Sequence, residues 1–231
     1  MVRILAPNPG PMTLEGTNTY VYGADPCVVI DPGVEEESHL EAIRAAAAER
    51  GGIGLVLLTH SHVDHVGGAE QLGAEVLAPG DGEEHGGLRT LATPGHAADH
   101  VCFLSADGVC FSGDLVLGLG STIVPPGGGA LRAFMGSLRL LQAQDIDLIA
   151  PGHGPWITEP QAKLAEYVEH REMRERRLLA ALDRGERSRA ALLAEVWDDV
   201  PVELLPMAAM AMDAHLEKLE EEGALPGDLL A

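Results

Sequence analysis

The sequence predicts an α/β (α+β) protein followed by a small helical part, and three observations carry that prediction. Short apolar runs punctuated by Gly, Pro and Asp fill the first two thirds of the chain. Segments of helical length alternate with them. After Pro155 the pattern changes to long, polar, helix-forming stretches.

Taken in order, Thr17–Gly23 and Cys27–Ile30 read as strands joined by a Gly-Ala-Asp-Pro turn. Ser38–Arg50 is alanine-rich and reads as a helix that Gly51-Gly52 ends. Ile53–Leu58 is a continuous apolar run, as a strand buried on both faces would be. Leu88–Thr93, Val101–Leu104 and Val109–Phe111 are further strands, Ala130–Gln144 a helix, and Ile146–Ile149 a short buried strand. A domain boundary is expected near residue 158, giving domains 1–158 and 159–231. In the second, helices are expected over Glu159–Asp183, Arg187–Trp197 and Pro206–Glu222, with a hairpin or wing over Gly223–Asp228.

Composition bounds the function. A chain of 231 residues that is 46% apolar can bury a full core, and with 3% aromatics that core is aliphatic. The net charge of −21, from 36 acids against 15 lysines and arginines, repels phosphate backbones and anionic lipid. Bulk nucleic-acid binding is therefore not expected, which leaves open a contact with a short single-stranded RNA. Cys27, Cys102 and Cys110 are odd in number, lie in apolar stretches, and read as small buried hydrophobes in a reducing compartment. No targeting segment or membrane-length apolar run is seen, so the expectation is a soluble, cytoplasmic protein with no membrane partner.

Two features carry more than one reading. Between Lys163 and Arg189 lie eight of the bases, interleaved with acids at helical spacing, which suggests a solvated face or else a partner surface. Met207, Met210 and Met212 at helical spacing suit core packing or an adaptable substrate pocket.

The strongest feature is Thr59-His60-Ser61-His62-Val63-Asp64-His65, directly after a buried strand. Imidazole and carboxylate are the ligands that a borderline divalent ion such as zinc prefers. Three later motifs repeat the design of a glycine beside a potential ligand after an apolar run: Pro94-Gly95-His96, Ser112-Gly113-Asp114 and Pro151-Gly152-His153-Gly154. Glycine permits a sharp turn and close approach, so His96, Asp114 and His153 can converge with the first cluster on one sheet edge. Structural histidines alone do not explain the cluster, because buried imidazoles need partners. His39, His85, His170 and His215, in polar or helical contexts, read as surface or structural residues. His100 packs in a strand or supports a ligand from behind. Asp31, in Ile30-Asp31-Pro32-Gly33, is a turn former or such a support.

His-x-His-x-Asp-His followed by a later His, Asp and His resembles the metallo-beta-lactamase superfamily, over roughly residues 12 to 158. The resemblance implies a four-layer αβ/βα sandwich with metal at one edge. It implies that His60, His62 and His96 hold one ion, that Asp64, His65 and His153 hold a second, and that Asp114 bridges them. Asp64 and Asp114 would also serve the reaction, with Asp31 and His100 supporting. Asn8-Pro9-Gly10-Pro11 with Gly16-Thr17-Asn18-Thr19-Tyr20, the Pro-Gly-His-Gly-Pro at 151–155 and the helical tail resemble the beta-lactamase-like protein two group, near glyoxalase II. That group carries a winged-helix-like C-terminal domain.

The function implied is a hydrolase in which two zinc ions, or iron or manganese, hold a hydroxide that cleaves an ester or thioester, whether of a small molecule or carrier-bound. Asp114, where true beta-lactamases commonly have cysteine, argues against that activity. Alternatives are a single-strand RNA phosphodiesterase, an iron-dependent persulfide dioxygenase and a non-enzymatic metal-binding module. Oligomeric state stays open, a homodimer included.

Overall fold

A computed structural model describes residues 1–225 of the chain. The first half runs β1 (Val2–Leu5), β2 (Asn18–Tyr22), β3 (Cys27–Ile30), α1 (Glu37–Ala48), β4 (Ile53–Leu57), α2 (Val63–Val66) and β5 (Glu75–Leu77). It continues through β6 (Glu84–His85), β7 (Leu88–Ala92), β8 (Val101–Ser105), β9 (Val109–Gly113), α3 (Ala130–Gln142) and β10 (Leu148–Pro151). The helices α4 (Pro160–Asp183), α5 (Arg189–Val196) and α6 (Leu205–Glu221) follow.

The strands form two five-stranded mixed sheets, in the orders β1-β2-β3-β4-β5 and β10-β9-β8-β7-β6. Side-chain alternation along each strand builds the layers. On β3, Val28 and Ile30 join Phe103 and Phe111 of the other sheet in a core between the sheets. Cys27 and Val29 pack with Leu40 and Ile43 of α1 on the opposite face. On β8 and β9, Cys102, Leu104 and Cys110 pack with Leu138 and Leu141 of α3. All three cysteines are free and buried, as their apolar context predicts. The result is helix, sheet, sheet, helix. Leu40, Ile43 and Ala47 supply the buried stripe of α1, and the Glu36 carboxylate caps it by accepting from the His39 N–H at 3.1 Å.

The helical expectations land within a few residues, and the differences have local causes. The Ala130–Gln144 helix stops at Gln142, where Ala143 caps it, and the Ile146–Ile149 strand starts two residues later, at Leu148. Pro160 opens α4 in its first turn, where a missing N–H costs nothing. β1, β5 and β6 were not foreseen; they are sheet strands of 4, 3 and 2 residues, too short to show a period. Gly223–Leu225 follow α6 without forming a strand, and the rest of the expected wing lies outside the described residues.

α4 belongs to two cores. Its first half places Leu164 and Tyr167 in the cluster beneath α3. Its second half places Leu178 and Leu182 with Leu192, Trp197, Met212 and Leu216 in a separate cluster. The interleaved charges of this stretch predict a solvated face, and Arg176, Arg184 and Arg189 are indeed exposed. Arg171 and Arg174 are not: each is buried, lying over the ring of Phe134 (5.3 Å) and Trp197 (5.5 Å) respectively. A flat guanidinium stacks on an aromatic face as a lysine cannot, so charge pattern alone misreads it. No described helix is long and apolar enough to cross a membrane.

Candidate metal centre

The ends of β4, β7, β9 and β10 meet at one edge of the sandwich. The chain leaving β4 carries His60 and His62 and then turns into α2, which bears Asp64 and His65. The loop after β7 brings His96, the residue after β9 is Asp114, and the loop after β10 brings His153. Each sequence-predicted ligand reaches this edge. His60 Nε2 and His62 Nδ1 lie 3.0 Å apart, and His62 Nδ1 and His96 Nε2 lie 3.1 Å apart. His153 Nε2 is 3.3 Å from Asp64 Oδ2 and 3.4 Å from Asp114 Oδ2. His65 Nε2 is 3.4 Å from Asp114 Oδ1 and 3.7 Å from Asp64 Oδ2. Asp114 Oδ2 is also 3.6 Å from His96 Nε2, so this carboxylate stands between the two groups.

The far side of four rings is anchored. His65 Nδ1 meets Asp31 Oδ2 at 2.8 Å, and His96 Nδ1 meets the Ile123 carbonyl at 2.8 Å. His153 Nδ1 meets the Gly16 carbonyl at 3.2 Å, and His60 Nδ1 meets Thr59 Oγ1 at 3.0 Å. A carbonyl or carboxylate only accepts, so the first three rings carry their proton on Nδ1. Thr59 donates its hydroxyl proton to Asp31 Oδ2 at 2.7 Å, so it accepts from His60. All four Nε2 lone pairs are thereby turned inward, the orientation a metal ligand needs. His65 Nε2 and Asp114 Oδ1 are buried without a hydrogen-bond partner. Around a tetrahedral ion with bonds near 2.0–2.1 Å, ligand atoms stand about 3.3 Å apart. The donor set, its spacing and its orphaned atoms all fit a divalent ion.

Supports reach deeper. Asp31 Oδ1 accepts the Thr59 N–H at 2.8 Å, and the residue holds φ +47°, a strained conformation for a non-glycine. His100 Nε2 accepts the Asp114 N–H at 3.1 Å while its Nδ1 meets Thr93 Oγ1 at 2.9 Å, so His100 fixes the backbone of the central aspartate. Gly152 explains one glycine of the motifs: a Cβ there would stand 2.5 Å from Asp114 Oδ1 and 2.7 Å from His65 Cε1. The Asn8…Thr17 segment closes the ring from outside. Asn8 bonds both the N–H and hydroxyl of Thr17 at 2.9 Å, and Asn18 Nδ2 donates to the Pro151 and Gly154 carbonyls at 2.9 and 2.8 Å.

Burial and three carboxylates divide the histidines electrostatically. Burial pushes His60 down to about 2 and His100 down to about 3, and it lowers His96 as well. Burial also opposes charge at His153, yet Asp114 and Asp64 raise it to about 9. At His65 burial is outweighed by Asp114 and Asp31, which raise it well above its usual value. Asp114 is buried, but His65 and His153 hold it well below the usual carboxylate range. A field that holds protons this tightly is one that favours a divalent cation.

His39 and His215 are buried, His85 and His170 half-buried, and none of the four lies in the ligand set. Thr59, Gly16 and Ile123 were missed by sequence reasoning. They act through a hydroxyl or a backbone carbonyl; Thr59 and Gly16 stand within quoted motifs, whereas Ile123 carried no signal. A cavity of about 430 Å³ opens from His62, Asp64, His96 and Asp114 toward the C-terminal helices. Met207 lines it, Met212 is core and Met210 is exposed, so the three methionines of the stripe divide among three environments.

This two-sheet fold with a histidine–aspartate edge defines a class of metal-site hydrolases. The chain belongs to the metallo-beta-lactamase superfamily, whose model matches residues 12–76 and 74–153. A beta-lactamase associated winged helix domain matches residues 188–224. The chain is similar to the beta-lactamase-like protein 2 homolog of Drosophila melanogaster, at 33% identity over 97% of this chain and 89% of that one. It is similar to an atrochrysone carboxyl ACP thioesterase of Aspergillus fumigatus, at 36% identity over 82% of this chain and 67% of that one. A metallo-beta-lactamase family protein of Thermus thermophilus superposes with TM-score 0.77 at 26% identity, covering 96% of this chain and 94% of that one. The protein is a hydrolase of this superfamily, and a named thioesterase is among its relatives.

Proposed function

We propose that the chain hydrolyses an ester or thioester with the help of two zinc ions. His60, His62 and His96 would hold one, Asp64, His65 and His153 the other, and Asp114 both. The observation that carries this reading is the set of four imidazoles anchored on Nδ1, three of which turn Nε2 toward the Asp114 carboxylate while His60 turns its Nε2 toward His62. Nitrogen and oxygen donors without thiolate suit zinc. Divalent ions held there would supply Lewis acidity and would lower the pKa of a water toward about 7.

The chain's own residues do the rest. Asp64, with its side chain 24% exposed at the cavity, takes up the proton of the attacking water and returns it to the leaving thiolate or alkoxide. No nucleophilic side chain competes, because the cysteines are buried and none lines the cavity, and Ser61 only spaces two ligands. The cavity, lined by Leu117, Leu119, Ile123, Val200 and Ala208, binds the apolar body of the substrate and excludes water. The similarity to a named thioesterase supports this bond class and a carrier-bound substrate. The acidic net charge of −21 and the apolar lining disfavour a nucleic acid. We further read residues 1–158 as the catalytic unit and 159–231 as a second unit, of which His170 to Ala211 supply one side of the cavity.

A panel of thioesters, esters, lactones and phosphodiesters tests the reading on purified protein with metal measured. Chelation should abolish thioester hydrolysis and zinc restore it, and Asp114→Ala should lose both metal and rate. Full activity in metal-free protein, or unchanged metal content in the variant, refutes it.

A further inference from the structure

We propose that His170, Arg171 and Arg174 of α4 form an anion subsite in the cavity, which recognises a carboxylate carried by the apolar body of the substrate. The inference rests on the ester or thioester reading above and narrows its substrate class. The three residues share the cavity wall with His62, Asp64, His96 and Asp114 at the other end.

Arg171 is 5% exposed, and among the described residues no carboxylate pairs with it. Its Nη2 donates to Ser121 Oγ at 3.1 Å and to the Thr122 carbonyl, and Phe134 lies beneath its plane. A guanidinium carries five N–H donors, and these bonds use one nitrogen. Its Nε is buried with no partner, and so are Arg174 Nε and His170 Nδ1. Arg174 does have a counter-ion, Asp199 at 2.8 Å. At this end of the cavity two guanidiniums thus stand against one carboxylate, that of Asp199 behind Arg174, in a chain whose net charge is −21. Burying a cation without its partner is costly, and a ligand carboxylate meets a guanidinium fork in two parallel bonds. Burial lowers Arg171 only to about 10, so it stays charged at neutral pH, and burial lowers His170 to about 4, which leaves it a neutral donor.

The rest of the cavity selects the ligand. Met12, Leu119, Trp197 and Met207 surround the basic wall with apolar surface. A nucleic-acid strand needs a continuous basic track, whereas one basic spot in an apolar pocket suits an apolar chain or ring bearing a single carboxylate.

The competing role for Arg171 is structural. It holds the loop Ser121–Ile123, whose Thr122 hydroxyl and Ile123 carbonyl flank His96 Nδ1 at 3.3 and 2.8 Å. The two roles separate in a ratio. The zinc-loaded protein is assayed on a homologous series of acyl thioesters ending in a carboxylate, each against its carboxamide twin. At the best-fitting length, kcat/KM should favour the carboxylate by about tenfold or more, the weight of one charge-assisted bond. Arg171→Gln should bring that ratio toward one, and Arg171→Lys should keep part of it. Equal rates in the unsubstituted protein, or a Gln variant that slows both twins equally, overturns the proposal.

Calorimetry with non-hydrolysable thioether analogues covers a variant that fails to fold. The carboxylate analogue should bind the unsubstituted protein about tenfold more tightly than the carboxamide, and more weakly as salt rises. Equal affinities overturn the subsite, as does displacement of both analogues by a short RNA. Carboxylate-dependent binding without hydrolysis of any thioester supports the subsite and retires the ester reading instead.

Discussion

Replacing Asp31 with Asn changes the proton economy of the metal edge while sparing the backbone. Asp31 holds φ +47°, and asparagine is one of the few residues that tolerates that region. One oxygen, Oδ1, accepts the Thr59 N–H at 2.8 Å, and the amide oxygen of Asn can keep that bond. The other, Oδ2, accepts from Thr59 Oγ1 at 2.7 Å and from His65 Nδ1 at 2.8 Å. An amide NH₂ in its place is itself a donor. His65 must then accept at Nδ1, which moves its proton to Nε2, the atom that faces Asp114 Oδ1 at 3.4 Å. Thr59 must accept from the amide as well as from His60 Nδ1 at 3.0 Å, which fills both of its lone pairs and leaves its own O–H without an acceptor. One ligand loses its orientation, and the support of a second loses a hydrogen bond. Loss of such a support costs about 10–100-fold in metal affinity, or about 1.4–2.7 kcal/mol. The assay is equilibrium dialysis against a competing chelator with elemental analysis, and near-ultraviolet circular dichroism checks the fold. A folded Asp31→Asn protein that binds zinc as tightly as the parent refutes the reasoning.

Three further outcomes are expected. Gly152→Ala should abolish metal binding and lower activity by about 100-fold or more, because its Cβ would stand 2.5 Å from Asp114 Oδ1; metal content at parental level would refute the clash. Tyr167→Phe orphans the buried Leu117 N–H that its hydroxyl accepts at 2.9 Å, and urea unfolding should show a loss of about 1–3 kcal/mol. His170 has a folded pKa of about 4 against an ordinary 6.5, burial being the first cause and Arg171 and Arg174 the next. The unfolded chain therefore binds that proton first, so this stability is full above 6.5 and is lost as pH falls toward about 4. Thermal melts of His170→Gln should show a shallower loss across that window, and an unchanged slope would refute the assignment.

The chemistry of the site was legible because its ligands are rare residue types at short spacing. His60, His62, Asp64 and His65 need no tertiary information to be noticed. The strands β3 and β8 were legible because full burial writes a continuous apolar run, whereas β4 carries the same apolar run but is buried only at Val56 and Leu57 and exposes Gly54. The supports were harder. Asp31 and His100 admitted two readings each, since nothing local says whether a turn aspartate or a strand histidine faces a ligand. Gly16 and Ile123 act through backbone carbonyls that any residue carries. Arg171 was misread as one base among eight on a polar helix, because its burial depends on Phe134 and the loop at Ser121, some 40 to 50 residues away in sequence.

The helix α4 has a consequence for how the protein melts. Leu164 and Tyr167 are in one core and Leu178 and Leu182 in the other, on a single continuous helix of 24 residues. A break at either end frays the shared segment and exposes apolar surface in both clusters. Calorimetry should therefore record one transition, not two, and a chain cut at residue 158 should lack the wall that covers Phe134 and Leu117. In this architecture the smaller unit is no passenger: the larger one borrows part of its interior from it.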